Sequence, residues 1–423
     1  MSWIMCLLRS RLAAAKYGRQ DPAHGTVVLV RVLLLFESAM YSAITPVLPH
    51  YAHVLDASKP AVGVLAGSYP AGIIPGSLIG AWIATRAGVR RTTVIGLLLF
   101  AVSIAGFGFA KDIVALDALR FIQGMGCGFI WGGGLTWVIT VAPRERRGAM
   151  LGSVIGAAIF GTLIGPVLGI LAVSVGTGPV FAVVGAAALA LAVWTQGHPE
   201  PVRDTPVAET SSPLRDMAGS PLIRLGSWLI LLEAATIGAT SALLPLRLSH
   251  FGASSAVVGL VFLVASLISM LVSTPIGRAV DRRGARAPLY VGLSLTAILM
   301  AVLPIPHSAA LLAIVSVIAL GGPLTAYTIP ALTIITDTAE RIGIPLVVAT
   351  MMLNLAWASG EVIGAPAAAN LSQATSDAVP LLALSAIMVL TLRPVTKARF
   401  TPAPAHDADE DAREAWVQAA TAR

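Results

Sequence analysis

Charge is scarce in this sequence. Of 423 residues only 12% are charged, while 56% are hydrophobic; a soluble globular protein carries about 25% charged residues. Half that fraction cannot clothe a water-facing surface, so one or two soluble domains are excluded, and a mean hydropathy of +0.84 agrees. Cysteine is nearly absent: Cys6 and Cys127 have neither metal nor disulfide spacing. The seven histidines (His24, His50, His53, His198, His250, His307, His406) are scattered, with no set at metal-ligand spacing. No Walker-type phosphate loop is present, which excludes ATP-driven transport by this chain alone. An enzyme would need convergent nucleophile, base or metal ligands, and a sensor would need a soluble domain larger than any polar stretch here. No cofactor and no metal are expected. The 40 glycines follow no three-residue period and apolar runs dominate, so collagen-like and disordered readings fall as well.

What the sequence has instead is apolar segments of membrane-spanning length, for which about 20 residues suffice. Six run at about 27–49, 61–84, 92–110, 113–141, 148–172 and 178–196, and six more at about 222–245, 256–277, 286–305, 308–336, 345–369 and 378–395. The predicted fold class is an all-α membrane protein of twelve transmembrane helices in two six-helix bundles, 27–196 and 222–395. Between them 197–221 is polar and rich in Pro and Ser and reads as a cytoplasmic linker. Residues 1–26 form a cytoplasmic N-terminal segment and 396–423 a cytoplasmic tail with an acidic stretch, HDADEDAREAWVQ. In MSWIMCLLRSRLAAAK the apolar stretch is short and Arg9 and Arg11 follow it, the reverse of a secretory signal.

The net charge of +7 would suggest nucleic acid in a soluble protein. Here the basic residues sit in short clusters between apolar segments, which is the pattern of membrane topology. With both termini inside, about 24 of the 28 Lys and Arg fall on the cytoplasmic side, and only Lys59, Lys111 and Arg247 in outer loops. The expected partners are the lipid bilayer and a small molecule, with no nucleic acid. The Ala-, Gly- and Arg-rich composition suggests a bacterial cytoplasmic membrane.

The halves repeat one another. An ungapped shift of 196 positions puts Glu37 on Glu233, Leu48-Pro49 on Leu244-Pro245, Ala57-Ser58 on Ala253-Ser254 and Val62-Gly63 on Val258-Gly259. It also superposes Arg86 on Arg282, Gly88 on Gly284, Arg90 on Arg286 and Gly96 on Gly292. Parallel repeats related by an axis along the membrane normal put a substrate site at their interface near the midplane. That is a transporter architecture.

Three motifs add detail. The loop after the eighth segment reads Gly277-x-x-x-Asp281-Arg282-x-Gly284-x-Arg286; its first-half copy keeps Arg86, Gly88 and Arg90 but has Ala81 and Thr85 in place of Gly and Asp. The fourth segment contains Arg120-x-x-Gln123-Gly124. The fifth carries Gly152, Gly161, Gly165-Pro166 and Gly169, with Ile170 where a closing Gly would stand. Small residues at every fourth position let a neighbouring helix approach closely, and Pro166 lets the helix bend. In these loop, Arg-Gln-Gly and glycine patterns the chain resembles the Major Facilitator Superfamily over about 27–395, and within it the twelve-helix drug:proton antiporters. The resemblance implies that the Asp281 loop acts as a conformational latch, and that the glycine pattern belongs to exporters exchanging substrate for protons. Without a charge at Thr85, the first-half latch is expected to be weaker.

Acids inside the membrane are the sharpest candidates for function. At 1.5 Å per residue, Glu37 and Glu233 both sit about 15 Å deep, and the resemblance makes their segments line the cavity. We expect them to be proton and cation sites tuned by Arg120; the alternative is a structural, hydrogen-bonded Glu. An arginine inside the membrane costs at least about 2.5–3.5 kcal/mol and should face a polar cavity, unless it snorkels to the interface beside Asp117. Glu361 shares a helix face with Trp357 and Asn354, which suits an organic cation, although an aromatic against lipid beside a water-exposed Glu fits equally. Tyr41, Gln123, Thr240 and Tyr327 complete the candidate substrate residues, with the reservation that Tyr often marks a membrane interface. The expectation is a secondary transporter, monomeric, exporting small amphipathic or cationic molecules against protons. The alternative is a proton symporter or exporter of a defined metabolite such as a sugar, amino acid or siderophore.

Overall fold

A computed structural model describes residues 22–142, 147–200, 219–342 and 346–397. Most of 1–26, 197–221 and 396–423 therefore lies outside the described residues. Those described form fourteen helices and no strand. The first half holds α1 (Pro22–Ala43), α2 (Leu48–Val54), α3 (Lys59–Ala87), α4 (Val89–Phe107), α5 (Ile113–Val141), α6 (Arg147–Val175) and α7 (Thr177–Gln196). The second holds α8 (Pro221–His250), α9 (Ser255–Arg283), α10 (Arg286–Val302), α11 (Ala309–Gly321), α12 (Pro323–Arg341), α13 (Leu346–Ala374) and α14 (Ala378–Lys397).

Among the described residues ten stretches are long and apolar enough to cross a membrane. The outer surface is apolar to match: Val102, Val183, Val193 and Leu390 are all at least 60% exposed. This multi-pass arrangement keeps backbone polar groups bonded inside helices, as lipid demands. Two predicted segments are subdivided. The stretch 27–49 becomes α1, a turn over 44–47 and α2, a seven-residue helix with Pro near its start. The stretch 308–336 is interrupted at Gly322, because two successive glycines weaken the helix and Pro323 offers no N–H to continue it.

The repeat extends to the punctuation of the chain. Ser58 caps α3 and Ser254 caps α9, each hydroxyl accepting a backbone N–H at 3.4 Å. Asp112 caps α5 at 2.8 Å and Ser308 caps α11 at 3.4 Å. Gly88 ends α3 at φ 97° and Gly284 ends α9 at φ 77°, a region only glycine enters without strain. All these pairs are 196 residues apart. The arginines after these glycines also do the same job. Arg90 donates to the His198 carbonyl beyond α7 (3.0 Å) and Arg286 to the Thr396 carbonyl at the end of α14 (2.7 Å).

Each half has its own apolar core, one built from Val27 to Ala192 around Leu33, Phe100 and Trp137, the other from Ile223 to Val395 around Leu293, Tyr327 and Met388. Within each core the glycine helix seats the first helix. A Cβ added at Gly161 would lie 2.2 Å from the Leu35 carbonyl oxygen, and one at Gly165 2.3 Å from that of Ala39. Gly360 and Gly364 of α13 meet Leu231 and Ala235 of α8 in the same way, at 2.1 and 2.3 Å. Close backbone approach is what these glycines provide.

The backbones of the two halves come together at one end. Gly63 of α3 lies against Ala365 and Ala369 of α13, and its counterpart Gly259 of α9 against Pro166 and Ile170 of α6. Ile170, where the glycine pattern fails, thus supplies the side chain of the α6–α9 seam. At the same end Lys59 bridges to Asp377 at 2.5 Å and to the Ser372 hydroxyl at 3.2 Å. At the other end, Cβ atoms added at Gly152, Gly156 and Gly277 would meet nothing within 4 Å among the described residues. Among the described residues the bundles form a V, closed at the Lys59 end and open at the end where α6 begins and α9 finishes.

Candidate functional site

A cavity of about 380 Å³ occupies the V. Tyr41 of α1, Arg120 of α5, Glu233 and Thr240 of α8, and Glu361 of α13 are its polar landmarks, and Pro166 of α6 lies on the wall. Apolar side chains such as Ile159, Phe262, Leu324 and Leu332 fill the spaces between. Ser266, Ser269 and Ser273 recur on one face of α9, opposite Thr325 and Thr328 of α12, with Ser269 and Thr325 bonded at 2.5 Å. That hydroxyl row is absent from the sequence candidates; its i, i+3, i+7 spacing in an apolar helix is the signal that could have found it.

The candidate acids are all buried but differ in their company. Glu361 accepts the Tyr41 hydroxyl at 2.6 Å, a bond from one bundle to the other. Its second oxygen has no partner among the described residues. Glu233 stands on the cavity wall, where Thr328 faces it. Glu37 is not among the residues lining the cavity. It lies behind the wall, accepting the Tyr69 hydroxyl, the Trp131 indole N–H at 2.7 Å and, more weakly, the Ser38 hydroxyl at 3.5 Å. Tyr69 escapes sequence reasoning because nothing in α3 alone says which helix its ring will meet.

Arg120 is 2% exposed, so it does not snorkel. It donates to the Gln123 side-chain oxygen at 3.0 Å, and its guanidinium lies over the Tyr69 ring, 4.5 Å from the centroid. Gln123 is fully buried behind it. An aromatic file of Tyr69, Tyr41 and Trp357, with neighbouring centroids 5.3 and 5.6 Å apart, runs from the first bundle into the second. Trp357 and Asn354 do not line this cavity, and Tyr327 is buried in the second core with its hydroxyl unpartnered among the described residues.

The loop motifs lie far from the acids, at the open end. Arg282 is exposed there, as is Arg86, which stacks over Trp82 at 4.0 Å. Thr85 bonds its own helix at the Trp82 carbonyl, 2.8 Å. Asp281 belongs to the last turn of α9, and its side chain lies outside the described residues.

Two helical bundles around a charged cavity, open at one end among the described residues, have the architecture of a membrane transporter of small molecules. The model of the Major Facilitator Superfamily matches residues 32–365, and the chain belongs to that family, whose members are transporters and not enzymes. The uncharacterised MFS-type transporter YcaD of Escherichia coli O9:H4 (strain HS) is 25% identical over 347 residues, covering 81% of this chain and 88% of its own. Among solved structures, a bacterial homologue of the human lysosomal transporter Spinster, in an inward-facing and occupied conformation, superposes with a TM-score of 0.71 at 15% identity. The match covers 89% of this chain and 98% of that one. A point mutant of the nucleoside transporter NupG gives 0.69 at 12% identity over 88% and 99% of the two chains. At these identities the likeness concerns the fold.

Proposed function

We propose that this chain is a proton-coupled exporter of small amphipathic or cationic molecules, acting as a monomer in a bacterial cytoplasmic membrane. Both termini are cytoplasmic in this reading, because that orientation puts most basic residues inside; the open end of the V then faces the cytoplasm. The observation that carries the proposal is two buried carboxylates, Glu233 and Glu361, on the wall of one cavity between the bundles. A cation entering from the cytoplasm meets these groups and displaces their protons inward. Rocking of the bundles closes the open end, separates the Lys59 end and lets the cation leave as protons return to the carboxylates from outside. Pro166 and the Asp281 loop lie where that rocking must bend or release the chain.

Everted vesicles holding a preformed acid-inside gradient test this. A permeant cationic dye such as ethidium should dissipate the gradient in proportion to the amount of protein. No proton movement on addition of a dye that is nevertheless transported would replace the antiporter with a uniporter.

A further inference from the structure

The cavity carries both signs of charge, close enough to act on each other but not joined in an ion pair among the described residues. Arg120 makes no ion pair with a carboxylate among the described residues, and its Nε has no hydrogen-bond partner there. From the second bundle Glu361 spends one oxygen on Tyr41 and leaves the other unpartnered, and Glu233 adds a second acid to the lining of the same cavity. Both Arg120 and Glu361 are at least 97% buried. Buried charges without partners are strongly unfavourable, so a ligand that completes both has a large advantage over one that completes either. A plain cation would satisfy the acids but bring like charge towards the guanidinium. A plain anion would satisfy Arg120 but meet two carboxylates.

Resting on the reading of this cavity as the substrate site, we infer that it selects zwitterionic amphiphiles: a cationic nitrogen for Glu233 and Glu361, a carboxylate-type oxyanion for Arg120, and a short apolar body for Ile159, Phe262 and Leu324. A planar guanidinium already oriented by Gln123 and Tyr69 suits a two-oxygen anion. The aromatic hydroxyl of Tyr41, bonded to Glu361 from the opposite bundle, would hold the acid in place for the cationic end.

Three probes matched in chain length separate the possibilities: hexyltrimethylammonium, its carboxylate-bearing analogue N-hexyl-N,N-dimethylglycine, and hexanoate. Binding to the full chain in lipid nanodiscs is measured by calorimetry. The betaine should bind roughly ten-fold more tightly than either single-charge probe. Arg120→Gln should erase the difference between the betaine and the cation, the betaine losing affinity and the cation gaining some as the like charge is removed; Arg120→Lys, which keeps the charge but not the planar fork, should fall between and guards against a misfolded variant. Equal binding of betaine and cation, a betaine preference surviving Arg120→Gln, or no binding by any of the three would overturn the inference. Vesicle flux distinguishes this from the function beneath it. A tightly bound betaine that moves no protons would keep the zwitterion site and remove the coupling, whereas proton flux driven equally by cation and betaine would do the reverse.

Discussion

Glu37 and Glu233 hold the same register in two repeated bundles, and their surroundings are different. In the first bundle Tyr69 and Trp131 close over the carboxylate and take both its oxygens. Moving 196 residues along, Tyr69 becomes Ala265 and Trp131 becomes Tyr327, whose hydroxyl is buried without a partner among the described residues. The missing ring at Ala265 opens the wall, and Glu233 and Ala265 both line the cavity. One repeat surrounds its acid with hydrogen-bond donors while the other leaves it on the cavity wall. Equal depth in the membrane therefore does not imply equal chemistry; the residue packed on top decides.

Removing the donors should break this contrast most strongly. Tyr69→Phe combined with Trp131→Phe leaves Glu37 buried without its two main hydrogen bonds, and a loss of about 1–3 kcal/mol is expected in thermal unfolding. Thr328→Val beside Glu233 should cost well under about 1 kcal/mol. Similar losses from the two changes would mean that Glu37 is no more structural than Glu233.

Rebuilding the first-bundle arrangement in the second is a milder perturbation. Ala265→Tyr should cover Glu233 and lower substrate-driven proton flux by roughly ten-fold, with some lowering of the unfolding midpoint because Ala265 is only 4% exposed. Unaltered flux in a folded variant would show that access to Glu233 is not what the missing ring provides.

The smallest effect belongs to the closed end. Burial raises the pKa of Asp377, but hydrogen bonds from Lys59 and Ser372 and the charges of Lys59 and Arg247 outweigh it and hold the carboxyl below its ordinary value. A depressed pKa keeps the Lys59 bridge intact above the ordinary carboxylate value of about 3.9 and releases it only as the pH falls lower still. The bridge is partly exposed, so Asp377→Asn should shift the balance between the two ends by no more than about 1 kcal/mol. Spin-label distances across this end should accordingly be the same at about pH 5 and about pH 8. A widening over that range would place a proton switch here instead of at the cavity acids.

Much of the fold was legible from residue order, because a repeat at fixed offset, apolar segment lengths and basic clusters are properties of a linear chain. The pairs Ser58 and Ser254, or Gly88 and Gly284, meant the same thing in sequence and in three dimensions. The site was legible in depth but not in direction. Residue count along α1 places Glu37 at a depth, yet its rotation about the helix axis depends on Tyr69 and Trp131, which arrive from two other helices. Arg120, Tyr41, Thr240, Glu233 and Glu361 reached the cavity; Tyr327 and Trp357 packed into the bundles instead. Ile170 looked like a defect in a glycine pattern until its contact with Gly259 gave it a place between bundles.

The central claim is that the second-bundle acid, and not its first-bundle twin, answers to the substrate. Proton flux driven by a cationic substrate, measured in liposomes for Glu37→Gln and Glu233→Gln side by side, tests it directly. Glu233→Gln should reduce the flux at least about a hundred-fold while Glu37→Gln retains it within about ten-fold. Flux lost in Glu37→Gln and preserved in Glu233→Gln would contradict the account.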